Sequence, residues 1–139
     1  MKALQFILRY IKYVFIAKGK HAVQAPFLYE LITQVINEST DDENCHKIES
    51  LRKELCQSDK EIQITDFGAG STINNSKTRK IKDIAKNSAK NAKFGKLLYR
   101  IIQFYKPKNI LELGTSLGIS TSYLAKADTN ANVFTFEGC

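Results

Sequence analysis

The sequence predicts an α/β fold, with a helical N-terminal part over residues 1–92 and a parallel strand–helix–strand unit beginning within residues 93–139. Three observations predict it. Apolar residues recur at helical spacing through most of the chain before Pro107. Beyond Pro107 the period changes to two short apolar runs, Ile110–Leu113 and Val133–Phe136, separated by a glycine turn and a helical stretch. The 139 residues are 43% hydrophobic and 25% charged, a composition that suits one globular domain and excludes a disordered chain.

The first element is a helix over residues 3–17 (ALQFILRYIKYVFIA), interrupted by Arg9 and Lys12. It is shorter than the ~20 apolar residues that span a bilayer. No small-residue cleavage site follows in Lys18-Gly19-Lys20-His21, so it does not read as a signal peptide. On a helix Lys2, Gln5, Arg9 and Lys12 form one narrow polar stripe. Two readings stand: a helix packed on its own domain with its basic stems partly covered, or a helix lying on an anionic membrane surface.

This helix fades near Gly19, and Pro26 starts the next, where its missing N–H costs nothing. Phe27, Leu28, Leu31, Ile32, Val35 and Ile36 give that helix an apolar face. Residues 37–46 (NESTDDENCH) read as a polar loop, with Ser39 or Thr40 as a cap for a short helix over 47–57. Ile62 and Ile64 alternate with polar residues, predicting a short strand near 62–66. Phe67–Ser71 is a turn and 72–80 a flexible loop. From Ile81 to Ala92 apolar residues recur at helical spacing, with Lys82, Lys86, Lys90 and Lys93 mostly on the other side. Gly95 breaks that helix, and a further one runs to Pro107. A strand over 110–113, a turn at 114–118, a helix over 120–127 and a strand over 133–136 complete the chain, the two strands parallel with a right-handed crossover.

The formal charge is +7, unevenly spread: residues 67–108 carry net +10, residues 37–66 net −5 and residues 109–139 net −2. Positive charge raises nucleic acid, anionic membrane and acidic ligands as partners without selecting one. The middle segment reads either as a solvated lysine face or as a landing surface for phosphates. Cys45, Cys56 and Cys139 are odd in number and lack paired spacing, which fits a reducing, cytoplasmic setting without disulfides. Cys45-His46 and Cys56 lack a zinc-site pattern. His21 and Cys139 have no triad-like partner in sequence, so no catalytic role is assigned to them.

The stretch that carries chemistry is ILELGTSLGISTSYLA followed by VFTFE. A strand enters a glycine turn that opens a helix, whose end offers free N–H groups and partial positive charge. Glu112 lies near the strand's exit, and Glu137 ends the next strand 23 residues after Gly114. An acid at about that spacing accepts hydrogen bonds from ribose hydroxyls in nucleotide-binding α/β units. The pattern is E-x-G-x-x-x-G rather than G-x-G-x-x-G, so a ligand carrying positive charge suits it better than a pyrophosphate. Asp66-Phe67-Gly68-Ala69-Gly70-Ser71 also joins an acid to glycines, but its next acid, Asp83, lies in a lysine-rich helix. It reads as a structural turn, with a lid or substrate-wall loop as the other reading.

Residues 93–139 resemble the cofactor-binding start of a class I S-adenosylmethionine-dependent methyltransferase, especially the catechol O-methyltransferase-like branch. Gly95-Lys-Leu-Leu, a helix, Pro107 and ILELGTSLGIST follow that branch's lead-in helix and first motif. Residues 1–92 resemble, more loosely, its helical extension. The resemblance implies a Rossmann-like domain with S-adenosyl-L-methionine as cofactor. Glu112, Gly114, Thr115, Ser116 and Gly118 would surround its methionine part, Ser120 would bond its carboxylate, and Glu137 would take its ribose hydroxyls. It also implies O-methylation of a small-molecule substrate by in-line attack on the sulfonium methyl. Any divalent metal ligands and basic catalytic lysine would lie downstream of residue 139, so the chain reads as an N-terminal fragment that is itself inactive. The alternatives are an RNA methyltransferase using the basic 77–108 segment and a non-catalytic membrane-surface module using residues 2–17.

Overall fold

A computed structural model describes residues 2–17, 25–65 and 78–138. It mixes helix with two small sheets. The chain divides into two compact units, Met1–Glu38 and Ser39–Cys139. The Asp66–Ser71 turn, His21, Gly19 and Cys139 lie outside the described residues.

The first unit holds α1 (Lys2–Ile16) and α2 (Pro26–Glu30), with Pro26 in the first helical turn as its sequence position predicts. Leu31–Ile36 continues α2 as a π-helical turn, in which the Asn37 N–H reaches the Ile32 carbonyl at 3.0 Å. Val35 is fully buried there.

The second unit begins with α3 (Glu43–Leu55), which starts four residues earlier than the apolar pattern predicts. The cap is Asp42 rather than Ser39 or Thr40: its carboxylate accepts from the Asn44 N–H at 2.8 Å. Glu43 in the first turn and Arg52 and Lys53 in the last complement the helix dipole. Thr40 is held instead from α5 (Ala92–Tyr105), by Lys96 Nζ on its carbonyl at 3.0 Å and Arg100 Nη1 on its hydroxyl at 2.8 Å.

A strand forms near the predicted place as β1 (Glu61–Gln63), shorter than expected: Ile64 and Thr65 lie beyond it. Its partner is β2 (Thr78–Lys80), the end of the stretch expected to be loop. The two are antiparallel, with Glu61 opposite Lys80 and Ile62 opposite Arg79. Three residues with no alternation of their own gave no strand signal; the cross-strand partner defines the strand. Asp59 fastens this hairpin to α4 (Ile81–Asn87), meeting Lys80 at 3.2 Å and Lys82 at 2.6 Å.

The helix expected to run from Ile81 to a break at Gly95 breaks earlier. α4 ends at Asn87, and Asn91 caps α5 by accepting from the Phe94 N–H at 3.2 Å. Gly95 lies inside α5, where a Cβ would stand 2.2 Å from Tyr123 Cε2. It is therefore a packing glycine that lets a ring touch the helix backbone. α5 ends at Lys106, whose left-handed φ of 46° precedes Pro107.

β3 (Asn109–Leu113), α6 (Ile119–Ala127) and β4 (Asn132–Phe136) form the expected strand–helix–strand unit. β3 and β4 pair in parallel, Glu112 opposite Thr135 and Leu113 opposite Phe136. Two clusters hold the unit together. Cys45, Ile48, Tyr99, Ile119 and Tyr123 join α3, α5 and α6; Ile102, Ile110 and Leu124 join α5 and α6 to the sheet. The other face of the sheet, Leu111, Leu113, Phe134 and Phe136, is exposed.

At the junction of the helices the Tyr123 hydroxyl donates to Glu49 Oε1 at 2.6 Å, while Arg52 meets Glu49 Oε2 through Nε at 2.8 Å and Nη2 at 2.7 Å. Burial raises the Glu49 carboxyl, but the Arg52 and Tyr123 hydrogen bonds and the Arg52 charge outweigh it and hold it below the ordinary carboxylate range. Burial, then the hydrogen bond to Glu49 and the Glu49 charge, push Tyr123 far up, so it stays a neutral donor.

Two outcomes follow from this junction. Gly95→Ala leaves helical backbone intact yet drives a methyl into the Tyr123 ring, and should cost about 2 kcal/mol in urea unfolding. Glu49 has a folded pKa below its unfolded value of about 4.3. Its contribution is therefore complete above that value and is lost as pH falls through the lower folded one. Unfolding midpoints measured from pH 6 downward should drop over that window, and Glu49→Gln should flatten the drop.

Candidate functional site

The carboxyl ends of β3 and β4 and the start of α6 meet at one edge of the second unit. The parallel ladder brings them together by continuing one step past the strands: the Gly114 and Thr115 N–H groups reach the Phe136 carbonyl at 2.8 and 3.2 Å. The chain then reverses. Gly114 has φ 95° and Gly118 φ 72°, a conformation that glycine adopts without steric cost. Ser116, at φ 48°, takes the same left-handed region without that freedom. The Gly118 N–H closes the loop on the Thr115 carbonyl at 2.9 Å.

Glu112, Gly114, Thr115, Ser116, Gly118, Ser120 and Glu137, the residues singled out from sequence, all lie at this edge. Glu137 closes over the turn, one carboxylate oxygen accepting from the Ser116 N–H and the other from the Gly138 N–H at 2.9 Å. Gly118 occupies the cap position of α6 without a capping side chain, and Ser120 is half-buried in the first helical turn. The first N–H groups of that helix have no intrahelical acceptor and are aimed at this edge.

Glu112 is on the face of the sheet that meets α6. Its Oε2 accepts from the Thr135 hydroxyl at 2.8 Å and from the Thr121 hydroxyl. The Thr115 and Thr135 hydroxyls are 2.6 Å apart, so the turn, both strands and the helix share one hydroxyl–carboxylate network. Thr121 and Thr135 were not singled out from sequence. The signal for Thr135 is register, since a parallel pairing that aligns the two strand ends puts it opposite Glu112. Thr121 carries no such signal before the start of the helix is fixed.

Space adjoins the turn. Nothing lies within 4 Å of a Cβ placed on Gly114 or on Gly118. A groove of about 440 Å³ runs between α6 and α3, bordered by Thr115, Gly118 and Thr121 on one side and by Lys47, Ile48 and Leu51 on the other. The α3 wall was invisible from sequence, because only tertiary packing brings residues 47–51 beside residues 115–121.

The basic middle segment does not make one helix face. Lys82 and Lys86 are on α4, Lys93 and Lys96 on α5, and Lys90 sits between them. Among the described residues no group of three His, Cys, Asp or Glu side chains is placed to hold a metal ion, and no helix is long and apolar enough to cross a membrane.

Comparison with known proteins adds no relative: no protein-family model, no curated protein and no solved structure matches the chain.

The carboxylate–hydroxyl network gives a direct test. Thr121→Val keeps the side chain's shape but removes a donor to a half-buried carboxylate. It should lower stability by about 1.5–3 kcal/mol in urea unfolding, and Thr121→Ser should restore most of it.

Proposed function

We propose that the protein is an S-adenosylmethionine-dependent methyltransferase with a Rossmann-like cofactor domain, acting on a small-molecule substrate. One observation carries the reading. A parallel strand–turn–helix–strand unit brings a glycine turn of positive φ and the carboxylate of Glu137 to one sheet edge, where α/β folds bind nucleotide ligands.

The residues present suit that cofactor. The two glycines leave open space where side chains would stand, so the backbone accepts a ligand at close range. Glu137 supplies acceptors for a pair of vicinal hydroxyls at the strand end. The N–H groups at the start of α6, with Ser120 among them, suit a carboxylate. Glu112 places negative charge behind the turn, which favours a cationic ligand over a pyrophosphate. When bound, the cofactor supplies a methyl group on a sulfonium. The chain's own part is to hold and align it, and to offer charge of the right sign at each end. The groove beside Thr115 and Gly118 is the space in which an acceptor would approach.

Titrating S-adenosylhomocysteine into the full-length protein by calorimetry tests this. Saturable one-to-one binding is expected, and Glu137→Ala should weaken it about ten- to a hundredfold through loss of charge-assisted hydrogen bonds. Absence of binding, or binding indifferent to Glu137, overturns the reading.

A further inference from the structure

The helix α1 (Lys2–Ile16) takes no part in the site just described. Its described side chains, from Leu4 onward, are exposed on every face, including Phe6 at 73% and Phe15 at 86%. At 3.6 residues per turn, Gln5, Arg9 and Lys12 fall within an arc of about 60°. Leu4, Ile7, Ile11 and Val14 centre the opposite face, and Tyr13 borders the polar arc, its ring 6.4 Å from that of Tyr10. Tyrosine at such a border places an apolar ring and a polar hydroxyl at a water–hydrocarbon boundary.

Charge selects what covers this helix. Lys2, Arg9, Lys12, Lys18 and Lys20 precede the first acidic residue of the chain, Glu30. A wide aliphatic and aromatic face edged only by cations lacks the mixed signs of a helix designed to meet another protein surface. It has the make-up of a helix that lies in a lipid interface, cations at the headgroups and apolar side chains among the acyl chains. Its 15 residues reach about 22 Å, short of the ~30 Å hydrocarbon core, so it lies along the surface rather than through it.

We propose that α1 is an in-plane anchor that binds the protein to anionic lipid bilayers. Apolar burial supplies the main attraction, and Arg9 and Lys12 supply preference for negative headgroups. The proposal is independent of the methyltransferase reading and survives its failure.

The chain contains no tryptophan, so Phe15→Trp gives a single reporter on the apolar side. The full chain carrying it is mixed with phosphatidylcholine vesicles, and with vesicles containing about one-third phosphatidylglycerol. The expected result is co-sedimentation and a blue-shifted emission with the anionic vesicles only. Arg9→Gln with Lys12→Gln should weaken that binding about thirtyfold, near the sum expected for two surface cations. Ile7→Gln with Ile11→Gln should abolish the blue shift, while thermal unfolding is unchanged in both pairs because these side chains are exposed. Failure to bind anionic vesicles overturns the proposal. So does equal binding to both kinds, or binding indifferent to the Arg9 and Lys12 substitutions. An emission shift that grows with protein concentration without lipid also overturns it, since a second copy would then be the occupant.

Discussion

The second unit depends on one contact: the Tyr123 ring lying on the backbone of α5 at Gly95. A side chain at residue 95 would collide with the ring, and its absence brings α6 against α5 at backbone range. The hydroxyl at the far end of the same ring reaches across to Glu49 of α3. A single residue therefore fixes three helices at once, with an apolar contact at one end and a polar one at the other. Glu49 tolerates its half-buried position because Arg52 and Tyr123 both donate to it; an unpaired carboxylate there would be costly. α6 set in this way determines where Gly118 stands, and hence where the turn after β3 opens.

The site edge inherits its order from that placement. Parallel pairing continues past Leu113 and Phe136 into the turn, so the loop is an extension of the ladder rather than a free connection. Glu112 and Glu137 are then two acids with opposite duties. Glu112 turns inward to the hydroxyls of Thr121 and Thr135, where it braces helix against sheet. Glu137 turns over the loop and accepts from the Ser116 backbone N–H. A carboxylate that accepts from two loop N–H groups keeps lone pairs for further donors.

Much of this was legible in the sequence because the signals were local. The change of period at Pro107, the glycines at 114 and 118, and the acid ending VFTF fix the strand–helix–strand unit and its edge without knowledge of packing. What was not legible depended on partners distant in sequence. Gly95 read as a break because glycine is a poor helix former, and its ring partner lies 28 residues on. Asp42 won the cap from Ser39 and Thr40 because Lys96 and Arg100, more than fifty residues away, hold Thr40. Thr78–Lys80 became a strand only through β1.

The net charge shows the same distinction between a sum and a surface. The +10 of residues 67–108 suggests one basic face, but folding spends it piecemeal. Asp59 pairs with Lys80 and Lys82, Lys96 and Arg100 are tethered to Thr40 with their charge retained, and the break after Asn87 puts Lys86, Lys90 and Lys93 on different segments. The smaller charge at the N-terminus behaves differently. Nothing acidic precedes Glu30 in the sequence, and Arg9 and Lys12 share one narrow stripe of a helix whose other side is apolar. For attraction to a charged surface, what counts is the number of cations left unpaired on one face within a screening length. By that measure Arg9 and Lys12, three residues apart on one side of α1, count for more toward a charged surface than lysines divided among separate elements.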